Sequence, residues 1–211
     1  IRGVGMYTHE LIRALGNNVG AVDFSKADLS KYDIVHYPYF GIFTNTLPFP
    51  KPTKTVITIH DLVPLVYPAH YPPGLRGSLR LLEKKILLPG VDAIITDTET
   101  SKKDIVRFLG VRPDKIHVIY LAPKKVFRPI TDHRSLTTVK KKYSLPDKFV
   151  LYVGDVNYNK NISNLIEACK IAKLPLVICG KQALDVEDLG NDLRTLKGPR
   201  DWIRFLFGKP H

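Results

Sequence analysis

Apolar residues along this chain fall into two alternating patterns. Short unbroken runs at 34–37, 55–59, 93–96, 117–120, 149–153 and 176–179, rich in Val, Ile and Thr, predict strands covered on both faces. Between them, apolar positions at helical spacing predict helices over 7–15, 75–88, 101–109, 135–143 and 162–172. Strands alternating with helices predict βαβ units, an α/β protein built on parallel sheets. Gly110 and Gly154 punctuate element ends, and Ser101 with Asp104 three residues on forms a capping box for the third helix.

The strand pattern stops after Pro123, where prolines, lysine runs and one modest helix follow. It restarts at Lys148 with "KFVLYVGDVNYNKNISNLIEACKIAKLPLVICGK". This predicts a first Rossmann-like domain over 1–124, a linker over 125–146, and the first part of a second Rossmann-like domain over 147–211. After Lys181 the pattern fades into one helix or loop. No strand precedes the glycines near Ile1 and the second domain is short, so the sequence is expected to be clipped at both ends.

A chain of 211 residues, 44% hydrophobic, can bury one core and begin a second. No apolar run approaches the roughly 20 residues of a membrane span, and no leader pattern opens the chain. Cys169 and Cys179 suit a reduced compartment, and their spacing is no metal motif. The net charge of +12 favours anionic partners: nucleotides, phospholipid surfaces or nucleic acid. Much of it lies in runs (Lys84-Lys85, Lys102-Lys103, Lys124-Lys125, 140–142), read as solvated faces. Nucleic-acid binding would want aromatics interleaved with them, and Tyr143 after 140–142 is thin evidence, so nucleic acid ranks last among partners.

Three places carry candidate chemistry. In "TVITIHDLVPLVYP", His60 and Asp61 follow a buried strand, where ligands of parallel α/β sheets sit. The plainer reading makes His60 a satisfied structural histidine and Asp61 a turn former or cap before Pro64. In "IRGVGMYTHELIRAL", Gly3 and Gly5 precede a helix whose Tyr7, Leu11 and Leu15 share a face. Glycines there let a ligand approach the backbone, and the helix start favours an anion such as a diphosphate. In "YVGDVNYNKNISNLI", Gly154 ends a strand and Lys160 stands at the next helix start, placed to hold a diphosphate or simply solvated, with Asn161 as cap. A fourth stretch, "GLRGSLRLLEKKILL", sets basic residues beside an apolar stripe. It could lie on anionic membrane, or be an ordinary helix packed on the sheet.

Taken in order, "GVGMYTHELIRAL", "DIVHYPYF", "VITIHDLVPLVYP", "DAIITDTETSKKDI", "KIHVIYLAP", "FVLYVGDVNYNKNISNLIEA" and "LVICGK" resemble the retaining glycosyltransferases of family 4, with their two-domain B-type fold. The resemblance covers nearly the whole chain. It implies an opening acceptor-side domain and a closing domain for the nucleotide-sugar donor. By position it places Gly3 and Gly5 on the loop approaching the donor phosphates, and His60 on the histidine facing the transferred sugar or acceptor. Asp61 would orient that loop. Glu99, in "TDTETS", falls at the cleft edge with a minor direct role, and Lys160 on the lysine gripping the departing diphosphate. Where the family often has a basic residue after the loop glycine or an arginine before the lysine, Asp155 and Asn159 stand instead, which puts donor affinity or type in doubt. The family's paired glutamates on the donor sugar and ribose fall beyond this sequence.

The implied reaction is transfer of a hexosyl group, mannosyl among the candidates, from a GDP- or UDP-sugar to a glycan or lipid-linked acceptor, with retention. No cofactor or metal is implied, because Lys160 and helix amino termini serve the leaving group, and no Asp-x-Asp motif appears. The expected location is cytoplasmic, with peripheral contact at the inner membrane face as a further option. Two rival readings remain: a shortened or degenerate module that binds nucleotide or an anionic surface without turnover, and a nucleotide-sugar epimerase of the same fold.

Overall fold

The computed structural model describes residues 3–44, 46–47 and 51–180. The stretch read as a final helix or loop, after Lys181, lies outside the described residues. The described chain forms two compact units, dividing after Leu121.

In the first unit, β1 (Ile34–Tyr37), β2 (Lys54–Thr58), β3 (Ala93–Thr96) and β4 (Ile116–Val118) form a parallel sheet in that spatial order. Parallel neighbours cannot be joined by a tight hairpin, and the crossovers after β2 and β3 carry helices. α2 (Val63–Val66) and α3 (Gly74–Leu87) link β2 to β3, and α4 (Glu99–Leu109) links β3 to β4. α1 (Val4–Leu15) precedes the sheet. The core gathers Tyr37, Ile57, Ile59, Leu88, Ile94, Ile105 and Ile116, strand and helix positions that the unbroken apolar runs supply. In the second unit, β5 (Val150–Val153) and β6 (Leu176–Cys179) pair in parallel around α6 (Ile162–Ile171), after α5 (His133–Lys142).

Several sequence expectations change in detail. α1 begins three residues earlier than periodicity suggested, so Gly5 sits inside its first turn and Gly3 alone is the N-cap, at φ +51°. Leu15, expected on the packed face, is half exposed at the helix end. α4 starts at Glu99 because Thr98, not Ser101, caps it: the Thr98 Oγ1 accepts from the Ser101 N–H at 3.0 Å. The capping box of Ser101 and Asp104 is therefore not used, and Ser101 Oγ donates instead to the His60 carbonyl at 3.0 Å. Gly110 ends α4 in the left-handed conformation, φ +68°, a common glycine terminator.

The lysine runs are not uniformly solvated. Lys102 Nζ donates to the Ile116 carbonyl at 2.8 Å. Lys84 is completely buried, with Nζ 5.9 Å from the centre of the Phe40 ring. Its position follows from the way α3 faces. Gly77, Lys84 and Leu88 point inward, while Leu75, Leu79, Leu82 and Ile86 point out. A Cβ at Gly77 would come within 3.3 Å of the Phe43 ring, a tight contact that glycine avoids.

Candidate active site

The parallel register carries the site. Thr58 on β2 stands beside Ile95 on β3. Continuing both chains past the ends of their strands, His60 falls beside Asp97. The path is held by the Ile59 N–H donating to the Ile95 carbonyl at 2.9 Å and by the buried Thr96 Oγ1 donating to the Ile59 carbonyl at 2.7 Å. Ser101, from the start of α4, takes up the next carbonyl, that of His60. Two strand ends and one helix start thus fix the backbone on which the histidine stands.

His60 Nδ1 lies 2.8 Å from Asp97 Oδ2, with the two side chains only 18% and 16% exposed. A carboxylate accepts, so Nδ1 carries the proton in this contact and Nε2 is left as the nitrogen able to accept or deliver one. Tyr7 of α1 meets the His60 ring edge-on, centroids 4.8 Å apart. The same Tyr7 reaches Thr58 through its hydroxyl at 3.2 Å, and His36 Nε2 meets Thr58 Oγ1 at 2.8 Å. Burial holds the His36 imidazole below its ordinary pKa, which favours the neutral ring. Among the described residues His60 Nε2 and Asp97 Oδ1 are buried without a hydrogen-bond partner. Buried polar atoms in that condition are uncommon and mark places where a ligand group can complete the set.

Beside this pair lies a pocket of about 320 Å³. His60 and Asp61 supply its polar wall, and Tyr39, Phe40 and Phe43, from the loop after β1, supply aromatic faces. An apolar concavity with few convergent polar groups is the usual form of a small-ligand site. Asp61 Oδ1 also accepts from the Val63 N–H at 3.2 Å, so it shapes the start of α2 as the plainer reading held. Glu99 is exposed on the first turn of α4. Sequence reasoning did not single out Asp97, although "AIITD" ends β3 just as "VITIH" ends β2. The signal was the register between adjacent parallel strands.

Residues 24–122, which hold all four strands of this sheet together with His60 and Asp97, match the family model described as Glycosyltransferase Family 4. These residues, just under half of the chain, form a glycosyltransferase family 4 segment. Similar proteins include the serotype-specific mannosyltransferase WbdA of Escherichia coli, 30% identical over 120 residues, which are 56% of this chain and 14% of WbdA. The O-antigen chain mannosyltransferase B of Escherichia coli is 25% identical over 162 residues, 72% of this chain and 41% of that protein. The chain therefore spans less than half the length of either relative.

In the second unit, Gly154 and Gly180 follow the paired ends of β5 and β6, where the backbones approach closely. A Cβ on Gly180 would stand 2.0 Å from the Gly154 carbonyl oxygen. The Asp155 carbonyl accepts from the Tyr152 hydroxyl at 2.8 Å, tying the loop after Gly154 back to its strand. Lys160 is exposed, closing a single turn of 3-10 helix before α6. Asn161 occupies the N-cap of α6 in the left-handed region and makes no side-chain cap, so the first amides of α6 are not consumed by it. Among the described residues no group of three His, Cys, Asp or Glu side chains is placed to hold a metal ion, and no helix is long and apolar enough to cross a membrane.

Proposed function

We propose that this chain is the acceptor-side unit, with the first part of the donor-side unit, of a retaining hexosyltransferase that moves mannose from a nucleotide-diphosphate sugar. The observation that carries the reading is the His60–Asp97 pair at the carboxyl edge of a parallel sheet, on an aromatic-walled pocket, in a family 4 segment. The mannosyl group is inferred from the names of WbdA and the O-antigen mannosyltransferase. A glycan or lipid-linked glycan is the acceptor class that suits such names.

In the proposed reaction the bond from the anomeric carbon to the diphosphate oxygen breaks ahead of bond formation. An acceptor hydroxyl oxygen bonds to that carbon on the same face, and its proton passes to the departing phosphate. Negative charge grows on the leaving oxygens, so donors fixed in advance lower the barrier. Lys160, exposed at the start of α6, is assigned to that diphosphate, with Gly154 giving the loop room. On the first unit, Gly3 and Gly5 leave the amino end of α1 open to donor phosphate. His60 Nε2 is assigned to a hydroxyl of the transferred sugar or acceptor, and Asp97 is a positioning residue that holds the ring for it. Asp61 shapes the pocket wall. Glu99 and Asp155 receive no direct role. No metal or cofactor takes part in this scheme.

The test is acceptor-dependent nucleotide release by the complete protein across GDP- and UDP-hexoses. GDP-mannose alone giving release with a lipid-linked glycan is the expected result, and His60→Ala then lowers turnover by roughly 100-fold while nucleotide binding persists. Conversion of the donor with no acceptor present would mean an epimerase. Silence across all donors, with nucleotide binding intact, would mean a non-catalytic module.

A further inference from the structure

An amphipathic helix on a globular unit ordinarily turns its apolar stripe to the core. α3 does the reverse. Leu75, Leu79, Leu82 and Ile86 fall on one line along the helix and are 73%, 68%, 57% and 70% exposed. Its inward side carries Gly77, Leu81, Leu88 and a lysine, Lys84, with no hydrogen-bond partner among the described residues. A shallow groove of about 300 Å³ runs beside the outer stripe between Leu79, Leu82 and Ile86. The ridge extends about 16 Å, eleven residues at helical rise.

The margins of the ridge name its occupant. Arg76 and Arg80 lie on one side and Lys85 on the other, all exposed. The one carboxylate, Glu83, is already paired with Arg80 at 2.7 Å. A second copy of the chain laid on this ridge would bring these basic margins against each other. An anionic lipid surface instead offers acyl chains to the leucines and phosphates to the margins. We infer that the outer ridge of α3 is a docking surface for anionic phospholipid bilayer, lying in the headgroup plane. The surface lies apart from the His60 pocket and uses none of its residues. Whatever the chain transfers, this ridge would hold it at a membrane.

The experiment is flotation of the complete protein with phosphatidylcholine vesicles, with and without phosphatidylglycerol, in the absence of nucleotide sugar. Binding to the anionic vesicles, weakened by salt, is expected. Leu79→Gln with Ile86→Gln should lower partition by roughly 10-fold or more. Arg76→Gln should lower it roughly 5-fold on anionic vesicles and leave neutral ones unchanged. Both changes are on exposed side chains, so unaltered thermal melting is the control for folding. No binding, or equal binding to neutral vesicles, overturns the inference. So does a dimer in sedimentation velocity that the Leu79/Ile86 variant dissociates while vesicle binding stays as before. Because no donor or acceptor is present, failure here leaves the transferase reading standing, and failure of the transferase assay leaves this one.

Discussion

At the scale of single residues, the site turns on which nitrogen of His60 is committed. Asp97 holds Nδ1, and Tyr7 closes on the ring edge, so both the tautomer and the angle of the imidazole are set before any ligand arrives. Preset geometry of this kind lowers the cost of reaching the productive arrangement. Asp97→Asn keeps the size of the side chain and removes the charge that selects the Nδ1–H tautomer. It is expected to lower kcat by roughly 100-fold and to alter the pH profile of kcat, with KM for donor little changed. A purely structural Asp97 would instead lower thermal stability and leave the pH profile in place. Tyr7→Phe gives the complement: it removes the bond to Thr58 but keeps the edge contact, so turnover should change less than with Asp97→Asn.

At the scale of elements, α4 joins the fold to the site. Thr98 caps the helix, and the same first turn sends Ser101 to the His60 carbonyl. Thr98→Ala is therefore expected to cost about 1 kcal/mol of stability, measured by denaturant unfolding, and to raise hydrogen exchange in the first turn of α4. Thr98→Asp, which can cap as well, should restore both. Strands and the longer helices were legible in the sequence to within three residues, because unbroken β-branched runs and helical spacing are local properties, whereas the single turn of α2 has too few positions to show a period. Asp97 was less legible, since its meaning comes from lying next to His60 across a register that no single stretch displays. The facing of α3 was not legible either. Periodicity reveals that a helix has an apolar stripe, and only packing decides which side meets the core. Here the side that carries Gly77 and Lys84 meets the core, with Gly77 packed close to the Phe43 ring.

At the scale of the whole molecule, the charge excess and the two buried bases make stability depend on pH at both ends. Desolvation pushes the Lys84 ammonium below its ordinary pKa, with Glu83 opposing and Arg80 reinforcing the fall. Between that lowered value and about 10.5 the unfolded chain binds more protons than the folded one, so stability rises with pH across the window. Below it the folded protein carries a buried cation at full cost. Lys84→Met should stabilise the protein at neutral pH by at least about 1 kcal/mol, with the gain shrinking as pH climbs through the window. His36, also lowered by burial, acts at the acid end. As pH falls below about 6.5 the unfolded imidazole takes a proton before the folded one does, so stability drops until the folded value is passed. His36→Gln should flatten that acid limb without moving the alkaline one. Thermal melting of the parent and both variants from acid to alkaline pH separates these effects. A parent curve flat below neutrality would show that His36 does not titrate differently on folding, and a Lys84→Met gain independent of pH would show that the lysine costs stability by its shape and not its charge.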